Sequence, residues 1–187
     1  EKGSLIKSLE GKQKFKIGVN LTSRTGLEIS EDAKKAVRFN AKLCEDLGHN
    51  VEDMEFTHDG LLAVRCFVII VCSHVTQMFN ELKDIVGRSF KKSEVETATR
   101  LFNYLGKSFR ASDYSWARFN LQKIARQIMD DTNKYDIVLT PITSQAPPNI
   151  GELRPNTQAK IIGELIQSLK LGFLFKNPSL RDAFLNR

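Results

Sequence analysis

The sequence predicts an α/β protein, a parallel or mixed sheet with covering helices. Three observations carry that expectation. Apolar residues alternate from Lys14 to Asn20 (KFKIGVN), a continuous apolar run appears at Tyr135 to Leu139 (YDIVL), and segments of helical period lie between them. The 187 residues, 41% of them hydrophobic, fit one domain spanning 1–187 and are too apolar for a disordered chain.

The first strand places Phe15, Ile17 and Val19 on one face and Lys12, Lys14 and Lys16 on a wet one. A Ser/Thr/Gly loop follows, and Ser30 with Glu31 and Asp32 behind it has the form of a helix start, with both acids in the positive first turn. Ala33, Ala36, Val37, Cys44 and Leu47 share a face of that helix, and Gly48 supplies a left-handed end. HNVEDMEF then predicts a second strand near 51–56, which completes a strand-helix-strand crossover.

Asp59 and Gly60 open a long helical stretch to about Val86, whose apolar surface is wider than one stripe; such a helix is buried on several sides or covered by a partner. Ser93 and Glu96 are spaced as a capping box for a helix ending before Gly106, and Ser112 is placed to cap the next. In that helix Arg126 and Asp130 stand one turn apart and are expected to pair. YDIVL predicts a strand near 135–140 buried on both faces, and the Pro-rich TPITSQAPPNIGELRPN a surface loop. A helix from Thr157 to Leu171 and a short one after Pro178 close the pattern. That makes four or more helices in all.

Composition and spacing exclude several functions. The longest uninterrupted apolar run is Cys66 to Cys72, so a membrane span is not expected. The N-terminal EKGSLIKSLEGKQ has neither an apolar signal core nor a cleavage site, and three cysteines without paired spacing give no disulfide framework; a reducing, cytoplasmic location is expected. Cys66 and Cys72 lie six apart, about 240° around a helix, which removes them as a metal pair. His49, His58 and His74 are isolated from any nucleophile context, and no phosphate-binding glycine motif or GxSxG elbow occurs. No cofactor, metal or catalytic residue is therefore assigned. The net charge is +6, but the cations are scattered among acids, the pattern of a solvated surface rather than a nucleic-acid track.

Two stretches together resemble the amidase signature family. Ile17 to Asp53 is similar to its strand, loop and helix leading into Leu-Gly-His-x-Val-Glu. Ala117 to Leu153 is similar to its long helix followed by Tyr-Asp-x-x-Leu-Thr-Pro. DGLLAVRCF and GKSFRASDY also fit. The resemblance implies serine-dependent cleavage or transfer at an amide carbon-nitrogen bond, run by a Ser-Ser-Lys relay on a Gly/Ser-rich segment. No Gly-Gly-Ser-Ser run occurs here. The expectation is a non-catalytic portion of an amidase, inactive alone, that contributes scaffold and part of the cleft for a small-molecule amide. The resemblance also brings Thr140, Pro141, Ile142 and Thr143 to the substrate cleft, whereas the residues alone read as a turn. The alternative function is a protein-interaction or oligomerisation module, with the apolar 61–86 helix joining two copies as a homo-dimer.

Overall fold

A computed structural model describes residues 14–152. They form two compact units, residues 14–60 with 124–147 and residues 61–123 with 148–152. The helices expected after Thr157 and Pro178, and Lys12 of the first strand, lie outside the described residues.

The first unit is built on strands β1 (Lys16–Val19), β2 (Asn50–Asp53) and β3 (Ile137–Leu139), all parallel, in the order β2-β1-β3. Ile17 stands opposite Val51 and Ile137, and Val19 opposite Asp53 and Leu139. Helix α1 (Glu31–Asp46) makes the crossover from β1 to β2. Its entry is the one the sequence predicts: the Ser30 hydroxyl accepts the Ala33 N–H at 3.3 Å. Its exit also agrees, with Gly48 at φ +90° and its N–H donating to the Glu45 carbonyl at 2.8 Å. Leu47, expected on the apolar face, is instead exposed at the helix end.

Two strand expectations need correction. β1 is central rather than half-buried, with Ile17 only 2% exposed and both faces covered. On its second face a side chain at Gly18 would sit 2.7 Å from Met54 Sδ and 3.0 Å from the Tyr135 ring, so any larger residue would have to push the Met54 side chain aside. Lys16 is drawn in beside them, 3.1 Å from Glu52 and over the Tyr135 ring. That ammonium, first, with Lys134 beside it, holds the Glu52 carboxyl below its ordinary range. Among the described residues β3 is an edge strand, with Ile137 40% exposed, not one buried on both faces.

The second unit is helical, made of most of α2 (Gly60–Val86), a 3₁₀ turn at Lys92–Glu94, α3 (Thr97–Gly106) and the first half of α4 (Ala111–Thr132). Cys66 and Ile69 of α2 pack with Ala117 of α4, while Cys72 packs with Leu105 of α3. The two cysteines therefore serve different clusters, as their angular separation requires, and burial pushes the Cys72 thiol up to about 11.

Helix ends in this unit depart from expectation. Ser93 falls inside the 3₁₀ turn, where the Glu94 carboxylate accepts the Lys91 N–H at 2.8 Å, and α3 begins only at Thr97. α4 begins before Ser112, with Asp113 accepting the Arg110 N–H at 2.8 Å. Gly106 is the last residue of α3, and its role is packing: a Cβ there would collide with the Cys72 carbonyl and the Thr76 hydroxyl. Arg126 and Asp130 are both exposed and form no ion pair, since the Arg-before-Asp order opposes the helix dipole and both groups keep their water.

By length and composition α2 is long and apolar enough to cross a membrane, with a mean hydropathy of 1.8 over an 18-residue window. The uninterrupted apolar run is short because Arg65, Ser73, His74, Thr76 and Gln77 break a stretch whose average stays apolar. The helix also supplies Cys66, Ile69 and Cys72 to the two clusters above, a role that requires the same composition.

Candidate functional site

In a parallel sheet the chain leaves every strand at the same edge, and a crevice opens where neighbouring strands send their connections apart. β1 and β3 are neighbours in this sheet. The chain leaves β1 for α1 and β2, while β3 lies on the other side of β1. Beyond their C-terminal ends the loop at 20–30 and the loop at 140–147 come together.

Hydrogen bonds fix both loops. Asn20 N–H donates to the Leu139 carbonyl at 2.9 Å. The Asn20 side chain, 3% exposed, accepts the Thr22 hydroxyl at 2.9 Å and donates to the Thr22 carbonyl at 3.0 Å. Further along, Ser30 N–H donates to the Ser144 carbonyl at 2.7 Å, and the Gln145 side chain donates to the Glu28 carbonyl at 3.2 Å. Arg24 donates to the His58 carbonyl at 3.0 Å, and Gly60 lets the Arg24 backbone approach so closely that any side chain there would collide with it.

The resulting cleft has a volume of about 170 Å³ and is lined by Thr22, Ser23, Ile29, Thr140, Pro141 and Ser144. Of the four residues expected there, Thr140 and Pro141 line it. Ile142 is fully exposed, and neither it nor the exposed Thr143 contributes to the wall. Thr22, Ser23, Ile29 and Ser144 were not anticipated. The Asn-x-Thr at 20–22 is a local turn signal, but only the adjacency of β1 and β3 reveals what that turn faces.

None of these six lining residues ionises. Their hydroxyls and the apolar Ile29 and Pro141 suit a small neutral polar ligand. The Ser23 hydroxyl lies 3.0 Å from that of Thr25 and accepts its N–H at 3.3 Å, so it is a loop brace rather than a nucleophile with a base. The histidines are placed separately: His49 Nδ1 accepts the Phe15 N–H at 3.3 Å, His58 packs on Phe56, and His74 Nε2 lies 3.4 Å from the Tyr114 hydroxyl. Among the described residues no three His, Cys, Asp or Glu side chains are grouped to hold a metal ion.

Fold and cleft together define an α/β protein with a crevice beyond the C-terminal ends of two parallel strands. The Amidase family model matches residues 2–171, and the chain belongs to that family. It is 24% identical over 155 residues to proteins of Mycobacterium tuberculosis and Mycobacterium bovis named "Putative amidase AmiC", which covers 82% of this chain and 32% of theirs. A similarly named Synechocystis protein is 25% identical over 141 residues, 74% of this chain and 24% of its own. The chain thus spans about a third or less of these relatives. Among solved structures, 6-aminohexanoate cyclic dimer hydrolase, alone and with substrate, superposes with a TM-score of 0.68 at 18% identity, over 76% of this chain and 30% of that one. The α/β architecture is shared with that hydrolase's fold.

Proposed function

We propose that this chain supplies scaffold and one wall of the substrate cleft of a hydrolase acting on carbon-nitrogen amide bonds, and that the 187 residues alone turn over no amide. The observation that carries the reading is the cleft beyond β1 and β3. It stands at the edge where parallel sheets bind ligands, and it offers hydroxyls without any acid, base or activated nucleophile among its lining residues. Hydroxyl groups there would accept and donate to an amide's N–H and C=O, while attack on its carbon needs groups from elsewhere. The test is a set of small linear and cyclic amides offered to the purified chain. Shifts of the amide resonances at residues 22–29 and 140–144, weakened by Thr140→Val and unaccompanied by hydrolysis, are expected. Hydrolysis would sink the inactivity, and binding that ignores Thr140→Val would remove the cleft.

A second reading, self-association, draws on α2, where Leu61, Val64, Phe67, Leu82 and Ile85 are exposed. Light scattering at increasing concentration decides it: a mass that stays monomeric removes it.

A further inference from the structure

We propose that a second cleft, lined by residues between 79 and 107, binds a small anion: a carboxylate or phosphate carried on an aromatic ring that also bears a hydroxyl or N–H donor. The cleft has a volume of about 240 Å³ and lies within the helical unit, between the end of α2, the loop at 89–92 and α3. That is below the roughly 300 Å³ at which drug-sized sites begin, which restricts the ligand to about one ring.

Charge points to an anion. Every charged residue on the lining is a cation: Lys83, Lys91, Lys92, Arg100 and Lys107. Of the nearby carboxylates, Glu94 and Glu81 are engaged in other contacts, and the exposed Asp84 and Glu96 are not on the lining. Glu94 takes both Arg88 nitrogens at 2.8 and 2.9 Å and the Lys91 N–H, and Glu81 takes the Gln77 amide at 3.1 Å. Arg100 donates to the Lys92 and Val95 carbonyls and to the Thr97 hydroxyl, which sets the shape of the loop. Lys83, Lys91 and Lys107 are then the cations whose side chains are left to meet an incoming anion; none pairs with a carboxylate among the described residues.

Two further observations define the rest of the ligand. Phe79 and Phe90 meet edge to face at 5.6 Å and give the cleft an aromatic wall. Asn103 also lines it, is 9% exposed, and its Oδ1 is buried without a hydrogen-bond partner. A buried acceptor is unfavourable until a donor reaches it, and a ligand hydroxyl or N–H would be that donor.

The experiment titrates the full 187-residue chain with 4-hydroxyphenylacetate, its neutral amide and inorganic phosphate, following backbone amide resonances at residues 79–107. Saturable shifts with the acid, and binding weaker by about tenfold or more for the neutral amide, are expected. The exposed double variant Lys83→Gln/Lys107→Gln should keep its spectrum elsewhere and lose about tenfold in affinity. Asn103→Asp, which keeps the side-chain shape and adds a negative charge, should weaken the acid further. Equal binding of acid and amide, or an affinity unmoved by the lysine variant, would overturn the anion site. Phosphate binding more tightly than the aromatic acid would overturn the ring and its donor.

Discussion

The two units hold their chain reversals by different physics. In the sheet unit the turns are closed by hydrogen bonds between near neighbours: Ser30 to Ala33, Asn20 to Thr22, and Gly48 to Glu45. In the helical unit local bonds also close turns, Gly87 to Lys83 and Arg110 to Asp113, but the end of α3 is set by contact. Gly106 has its position because the Cys72 backbone leaves no room for a side chain, and the loop before α3 is drawn together by guanidinium groups reaching across it. A local hydrogen bond tolerates changes around it, whereas a close approach tolerates almost none. The contrast predicts where each unit is fragile.

The largest effect is expected at Gly106. Gly106→Val should lower unfolding free energy by about 3 kcal/mol or prevent folding, since backbone on the opposing helix cannot give way. Gly26→Ala, where the added methyl meets nothing within 4 Å and only φ +78° resists, should cost about 1 kcal/mol. Urea titration of both variants measures the difference, and equal losses would break the contrast.

Asn20→Ala comes next, at about 1.5 kcal/mol, because the buried Asn20 side chain and its hydrogen bonds to Thr22 are lost. The same variant should weaken amide binding at the sheet-edge cleft, since Thr22 is part of its wall. A stability loss with unchanged binding would separate the turn from the cleft.

Paired serines sharpen the comparison further. Ser30→Ala should cost about 1 kcal/mol as the loss of a helix cap. Ser93→Ala should stay within about 0.5 kcal/mol, because the structure gives that residue no capping role. Chemical denaturation of the two single variants reads this directly.

The smallest effect is electrostatic. The Arg88 guanidinium, together with the Lys91 N–H, holds the exposed Glu94 carboxyl down at about 2, against an ordinary 4.5. A folded-state value below the unfolded one stabilises fully above pH 4.5 and is lost as pH falls toward 2. The urea midpoint of Glu94→Gln should therefore fall less steeply across that window than that of the parent chain. Parallel curves would show that the pair contributes nothing measurable.

These regions also differ in how readable they were. The crossover from β1 through α1 to β2 was legible because its signals are local: side-chain alternation, a serine followed by two acids, and a glycine where the chain must turn left-handed. Ser93 and Ser112 carried equally clear signals, but Glu94 and Asp113 make the local bonds there instead, while at Gly106 interhelical packing set the role. β3 was recognised as a strand, but its exposure depends on which strand ends up at the edge, and an apolar pentapeptide is silent on that. At the cleft, Thr140 and Pro141 were reached through a family resemblance, while Thr22, Ser23 and Ile29 stood about 110 residues away in the chain with nothing local to join them.

By itself the sequence determined the alternation of strands and helices, the family, and the caps of the first crossover, because period, cap chemistry and glycine conformation act over a few residues. Tertiary structure alone decided the strand order β2-β1-β3, the requirement for glycine at 60 and 106, and the walls of both clefts. Each of those depends on which distant backbones come within a few ångströms of one another, and that distance is a property of the packed chain.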